Sequence, residues 1–509
     1  MSLAYLNRVS IKSRKGIVEF QDQANLPEKI VQFGEGNFLR GFVDWMVHAM
    51  NKQGLFNGKI VAIQPTPHGK VVPKLERQDG LYTLVLQGVD QGEKIDKYEV
   101  IPSISKWVNP YENWSEVLKY AESDSIEFAF SNTTEAGLTY QQEEFTSDKS
   151  VLSYPGKLTA FLYHRYHTFK GDETKGITVI PCELVEGNGD ILKEIVLKIS
   201  GDWNLPTDFI EWVKNHNRFC NTLVDRIVPG YPKNNITAFQ ENIGYEDSLL
   251  VIGEPYHLFA IDANEQVSEA IPFDKAGLNV KWGDVTPYRN LKVSILNAPH
   301  TMMFSIGYLS GVDTVFEIME DEALYQFVHQ SIFNEILPVL PYGKEELHRF
   351  AESVLDRFKN PFVKHYLGDL GLNAVSKFKT RVLPTFHKWV DEKNEIPKNI
   401  AFSLAGLITY YRPIKLLDEE HLIGKRGNDE YKVRDSKEAI RTFYEAWNQF
   451  DGNGESLREV VSVVLDNELL WDIKLSEVDG LTDLVTKYTR GIIEDGMREE
   501  LNELVRKKE

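Results

Sequence analysis

Lys292, Asn297 and His300 stand within nine residues of one another, in the string KVSILNAPHTMM. An amine, a carboxamide and an imidazole at that spacing suit carbinol–carbonyl chemistry. Oxidising an alcohol takes a base for the hydroxyl proton while hydride leaves, and the reverse takes an acid. A lysine can serve when burial or neighbouring cations bring an amine toward neutrality. A carboxamide N–H stabilises a developing alkoxide, and an imidazole can hold a neighbouring hydroxyl. On an α-helix, Asn297 lies about 140° and His300 about 80° around the axis from Lys292, so the three share one broad face. The pattern is loose, and a surface lysine beside a helix-capping asparagine is the plain structural alternative. Its place favours chemistry, because the texture of the chain changes there and clefts form at domain junctions.

A second group lies near the start. VQFGEGNFLRGF sets Gly34 and Gly36 straight after an apolar run and before a helical pattern, flanked by Phe33, Asn37 and Phe38. That is where the pyrophosphate of a dinucleotide meets a helix N-terminus. Leu39 stands where a third glycine is expected, and tight strand–helix turns use glycine for structural reasons too. The next strand ends in Gln64, with no acid for the ribose and no arginine for a 2′-phosphate, though Lys70 is near. Gln64 can bond ribose hydroxyls as a neutral partner, which favours NAD. Arg40 can pair with the pyrophosphate or form a structural ion pair. Glu135, after a later strand, can touch the nicotinamide side or be a solvated loop acid.

The elements that must position these residues follow a β-α-β rhythm. EKIVQFG, KIVAIQP, IEFAFSNTT and GITVIPCELV read as strands. The helical patterns NFLRGFVDWMVHAMNKQG, YENWSEVLKYAES, KLTAFLYHRYHTF and NGDILKEIVLKIS alternate with them, the last with Asn188 as N-cap. LYTLVLQG and DKYEVIPSI read as an antiparallel insertion. Such alternation implies a mostly parallel, Rossmann-type α/β sheet covered on both faces. Past about residue 280 almost everything is helical. The expected division is 1–280, a dinucleotide-binding α/β domain, and 281–509, an all-α C-terminal domain carrying substrate-binding and catalytic groups.

Composition bounds the partners. The 509 residues are 42% hydrophobic and 26% charged, with 76 acids against 57 Lys plus Arg and a net charge of -19. That charge opposes binding to nucleic acid or anionic lipid, and no apolar run reaches the roughly 18 residues of a membrane span. No secretory pattern opens the chain. Cys182 and Cys220 make no disulfide framework or CxxC zinc motif, so a cytoplasmic setting and no metal are expected. An anionic substrate then requires local positive charge against the global field.

Several strings occur in order: FGEGNFLRGFVDW, QDGLYTLVLQG, SNTTEAGL, PGKLTAFLYHR, CNTLVDRIVP, GEPYHLFAI, TPYRNLKVSILNAPHTMM and RFKNPFVKHYLGDL. With them the chain resembles the polyol-specific long-chain dehydrogenases, the mannitol dehydrogenase-like family. The resemblance implies a Rossmann domain, a helical C-terminal domain, NAD(H) and a small sugar-derived substrate in the cleft between them, and metal-independent catalysis. It implies Lys292 as acid/base, Asn297 as oxyanion donor, His300 as substrate-orienting residue, Gly34 and Gly36 as the pyrophosphate turn, and Asp225 and Lys377 as substrate-binding residues. One departure stands out. Mannitol dehydrogenases carry a second oxyanion asparagine in a Cys-Asp-Asn string, and here Leu184 takes its place. Either Asn297 acts alone, or Asn188 reaches in, or the substrate is held differently, which fits a uronate better than a plain polyol.

The remaining candidates have plain alternatives. Asp225 and Arg226 can be a structural ion pair. Lys377 and Arg381, four apart on a helix, can supply charge for a carboxylate or form a solvated face. His164 and His167 lack an evident third metal ligand. The reading is an NAD-dependent oxidoreductase on a keto-uronate/hydroxy-aldonate pair. Within that class the pair is tagaturonate/altronate, and the alternatives are fructuronate/mannonate, an uncharged polyol such as mannitol and, in another class, a non-catalytic nucleotide-binding or scaffold protein.

Overall fold

The computed structural model describes residues 3–23, 25–133 and 135–506, without the side chain of Glu135. The chain forms two compact units, Met1–Gln87 with Glu93–Tyr288, and Gly88–Gly92 with Arg289–Glu509.

The first unit is built on a six-stranded sheet: β1 (Glu28–Phe33), β2 (Lys59–Ile63), β3 (Ile104–Val108), β4 (Phe128–Ser131), β5 (Thr178–Pro181) and β6 (Arg218–Phe219). Every pairing is parallel and the spatial order is β3-β2-β1-β4-β5-β6. This is the dinucleotide-binding order, with its switch point at β1 and β4. Successive residues feed opposite faces, as the two-residue strand period demands. Ile30, Ile60, Ala62, Phe128, Phe130 and Ile180 enter one core cluster. Val31, Phe33, Val61, Ile63, Ala129 and Val179 enter the other, with helices Trp114–Ala121, Tyr154–Thr168, Asn188–Asp202 and Thr207–His216. Burial on both faces explains why these strands read as continuous apolar runs.

Two expectations change in detail. The first helical stretch is broken at Phe42 (φ -132°, ψ -84°) into Asn37–Gly41 and Val43–Lys52. The expected insertion is present as Tyr82–Asp90 and Glu93–Ile101 in a separate four-stranded sheet. Its two-residue turn places Gln91 and Gly92 both at positive φ (51° and 76°), the backbone that reverses an antiparallel pair.

The second unit is largely helical, around a core that includes Met302, Phe304, Ile306, Leu404, Ile408 and Val485. It also holds a three-stranded antiparallel meander, Lys415–Asp418, His421–Arg426 and Asp429–Arg434. Its signal was period-2 burial: Leu422, Gly424, Tyr431 and Val433 point inward. No helix among the described residues is long and apolar enough to cross a membrane.

Candidate active site

The candidate residues divide between the two units. In the first, β1 ends at Phe33, whose ring is buried against Tyr154 and Phe161, with centroids 5.2 and 6.4 Å away. Only its backbone borders the turn. Gly34 follows with φ +134°, and its N–H donates to Ile63 O at 2.9 Å. A Cβ here would sit 3.1 Å from Leu39 Cδ1, so backbone conformation and space both call for glycine. Gly36 caps the helix Asn37–Gly41, and Gly36 and Asn37 are exposed. Phe38 stacks on Phe42 at 4.9 Å.

Arg40 is buried. Its guanidinium donates to Glu35 O, to Asn37 Oδ1 at 2.8 Å and to Leu249 O at 3.3 Å. It braces the turn from beneath. Glu35, between the two glycines, is buried as well. Burial pushes its carboxyl up to about 7, against a backbone hydrogen bond and the charge of Arg40, and its Oε2 has no partner. At the end of β2, Gln64 is buried and its Nε2 donates to Thr66 O at 2.8 Å, so the carboxamide closes its own loop. Glu135 opens a 3₁₀ turn, Glu135–Gly137, and its side chain lies outside the described residues. Asp225, at the end of strand Thr222–Asp225, is buried. Arg226 donates to Glu254 O and Gly41 O, each at 2.7 Å, and covers the ring of Trp45 at 4.2 Å.

Asn188 behaves differently from the expectation. The N-cap of its helix is Gly187, in the left-handed region, and Asn188 is the first helical residue. Its Nδ2 donates to Pro181 O (3.2 Å), Glu183 O (3.0 Å) and Thr222 Oγ1 (2.9 Å), while its Oδ1 accepts from Thr222 N (2.9 Å). Fully buried and fully bonded, it staples the end of β5 to the strand Thr222–Asp225 and has no N–H left for a substrate oxygen. Leu184 is 67% exposed. Asn188→Ala should therefore cost stability of about 2–4 kcal/mol in the first unit, read as a lower urea midpoint, because it orphans several buried groups. Activity of the folded fraction should be unchanged. Lost turnover with an unshifted midpoint would contradict this role.

In the second unit the Lys–Asn–His string is not a plain α-helix. Thr286–Leu291 is α-helical, Lys292–Asn297 is a π-helix, and Ala298–Leu309 returns to α. Ala298 N–H donates to Val293 O, five residues back. Pro299 supplies the reason: it has no N–H for a bond to Ile295, and its ring would clash with that carbonyl in a continuous α-helix. The wider turn, closed by i→i−5 bonds, brings residues five apart toward one side. Lys292 and Asn297 are five apart, so the π turn narrows the separation expected on an α-helix. Both are half-buried, and His300 is buried.

The His300 ring packs on Phe358 (4.4 Å between centroids) and edge-on to His365 (4.8 Å), and its Nε2 is buried with no partner. Burial, then the charges of His365, Arg357, Arg381 and Lys377, hold its pKa well below the usual imidazole range, so it is neutral near pH 7. Burial likewise lowers His365. Lys377 and Arg381 lie on helix Ala374–Arg381, with Lys377 Nζ donating to Leu370 O at 3.1 Å. Helices Lys344–Phe358 and Ala374–Arg381 both pack against the π segment, which is how Arg357 and the two cations come near His300. His164 bonds Glu122 at 2.8 Å, and among the described residues no group of three or more His, Cys, Asp or Glu could hold a metal ion.

Comparison with known proteins decides the family. The family described as "Mannitol dehydrogenase Rossmann domain" matches residues 28–275, and "Mannitol dehydrogenase C-terminal domain" matches residues 284–492. This chain belongs to the mannitol dehydrogenase family. With that it is a dehydrogenase acting at CH–OH carbons. Members similar to it include the altronate oxidoreductase of Halalkalibacterium halodurans, 50% identical over 94% of this chain and 93% of that one. The altronate oxidoreductase of Bacillus subtilis is 42% identical over 94% of this chain and 95% of that one. Among solved structures, the mannitol 2-dehydrogenase of Pseudomonas fluorescens, a ternary complex with NAD and D-mannitol, shares the fold with a TM-score of 0.66 and 18% identity, over 99% of this chain and 100% of that one. A substrate-free D-sorbitol dehydrogenase gives 0.78 and 20%, over 97% and 100%.

Reading the sequence missed His365, Arg357 and the buried Glu35, whose Oε2 has no partner. Glu35 carried a signal, an acid between two glycines that must be close-packed. His365 and Arg357 stand in RFKNPFVKHYLGDL, a string that carries the family resemblance, but no spacing there shows their approach to His300, since a loop and a separate helix bring them to it.

Proposed function

We propose that this member of the family is an NAD-dependent altronate oxidoreductase, interconverting D-altronate and D-tagaturonate, with reduction in hexuronate breakdown as its working direction. The observation that carries the reading is the 50% identity, over 94% of this chain, to the altronate oxidoreductase of H. halodurans.

The residues present fit the cofactor. Gly34 at φ +134° closes the turn where a Cβ would crowd Leu39, and the exposed backbone at Gly36, where a Cβ would meet nothing within 4 Å, and at Asn37 can meet a pyrophosphate. Phe33, Phe38 and Glu135 border the same loops, and Gln64 shapes the ribose side through its loop. The stretch QPTPHGK after β2 holds no arginine for a 2′-phosphate, which supports NAD over NADP. When bound, NAD supplies the hydride acceptor and NADH the donor.

The other groups handle the proton and the developing charge. Lys292 Nζ takes the carbinol proton during oxidation and returns it during reduction. Asn297 Nδ2 donates to the carbinol oxygen as it becomes an alkoxide. His300 Nε2, buried and orphaned, accepts from a neighbouring substrate hydroxyl, which satisfies it and fixes the sugar chain. Asp225 and Lys377 complete the substrate contacts. Leu184, and the full engagement of Asn188, leave Asn297 as the single amide donor.

The test is a panel of tagaturonate, fructuronate and fructose with NADH and with NADPH, followed by nicotinamide absorbance. Tagaturonate with NADH should have the highest kcat/KM. Fructose turned over as well as tagaturonate overturns the uronate assignment, and equal use of NADPH overturns the cofactor.

A further inference from the structure

We infer that Arg381, with Lys377 one turn before it, receives the carboxylate of the substrate and sets the preference for sugar acids over neutral sugars. The inference rests on the proposed reaction and deepens it.

The placement comes first. Helix Ala374–Arg381 packs on both the π segment Lys292–Asn297 and the helix Ala298–Leu309, so its cations are carried to the element bearing Lys292, Asn297 and His300. Lys377 and Arg381, four residues apart, are neighbours on that helix and both are half-buried.

Charge pairing comes second. The chain has 76 acids for 57 Lys plus Arg, so a half-buried cation without an acid is unexpected. Lys379, on the same helix, follows the rule and pairs with Asp472 at 3.0 Å. The side chain of Arg381 forms no ion pair or hydrogen bond among the described residues, and the one side-chain hydrogen bond of Lys377 goes to a carbonyl, Leu370 O. Two acids lie close enough to act on Lys377. Asp435 is engaged by Tyr411 OH, Val375 N and Ser436 N, and Asp369 is exposed. Burial and the charge of Arg381 lower Lys377 by more than Asp435 and Asp369 raise it, so the two cations repel. The imidazoles of His300 and His365 are both depressed and add no positive charge.

Such a pair fits a carboxylate. The planar guanidinium fork presents two parallel N–H donors to two carboxylate oxygens, and the ammonium adds a point charge. A neutral ketose offers either group a hydroxyl oxygen to accept a hydrogen bond, but no charge to pair.

The test uses the full chain and three variants, Arg381→Met, Arg381→Lys and Lys379→Met. Methionine keeps the apolar stem and removes the charge, lysine keeps the charge without the fork, and Lys379→Met controls for loss of a paired cation. Arg381→Met should raise KM for tagaturonate roughly 10- to 100-fold, with the slow reduction of fructose and the Kd for NADH unchanged. Arg381→Lys should fall between Arg381→Met and wild type, and Lys379→Met should match wild type. Calorimetric binding of altronate should weaken in parallel. If wild type reduces tagaturonate and Arg381→Met leaves its KM unchanged, or tagaturonate and fructose suffer equally, the inference alone falls. If wild type reduces no keto-uronate yet binds altronate through Arg381, the proposed reaction fails and the inference stands. If wild type shows neither turnover nor altronate binding, both are overturned.

Discussion

Lys292→Ala should fold, bind NADH with wild-type affinity and lose tagaturonate reduction by about 10²–10⁴-fold in kcat, the range for removing a general acid/base. Folding should survive because the local geometry rests on Pro299 and on the buried Ile295, Leu296 and Ala298, none of which the substitution touches. NADH binding should survive because the glycine turn lies in the other unit. A merely structural lysine would also lower activity, so the decisive readout is rescue: added primary amines should restore part of the rate in Lys292→Ala and none in wild type. Unchanged turnover would remove Lys292 from the chemistry, and loss without rescue would leave it a scaffold role.

His300→Leu should raise KM for tagaturonate and lower kcat, together reducing kcat/KM by roughly 10- to 100-fold, the worth of one or two buried hydrogen bonds to substrate. Leucine keeps apolar contact with Phe358 and removes the orphaned Nε2. Stability supplies an independent reading with a definite sign. His300 has a folded pKa well below its unfolded value, so the unfolded chain binds a proton the folded chain refuses. Stability is therefore full above about pH 6.5 and is lost as pH falls from there toward the folded pKa. His300→Leu lacks this loss, so its urea midpoint relative to wild type should improve from pH 8 to pH 5. His257, lowered to about 4, and His365 keep their own acid sensitivity in both proteins. A midpoint difference independent of pH would mean that His300 is not held neutral by its surroundings.

Much of the fold was legible because its causes are local. The strands of the six-stranded sheet are apolar runs ended by turn residues, and the helices between them show period-3.6 patterns; neither depends on distant contacts. The meander at 415–434 was legible in principle and overlooked, since its alternation is short and surrounded by helices. The π turn was half legible: Pro299 announces that an α-helix cannot run through Ile295 unaltered, but whether a chain kinks, breaks or widens there depends on what packs against it.

Sequence alone determined the residue types able to do the chemistry, their neighbourhood along the chain, and the glycine demanded after the first strand, because these are properties of side chains and of φ at one residue. Tertiary structure alone decided which polar groups are already occupied. Arg40 turns inward to brace the turn, Asn188 uses every hydrogen bond it has, and Arg381 keeps a charge with no acid beside it. Pairing of a side chain is set by where distant segments bring their own donors, acceptors and charges, and no spacing within one segment records that.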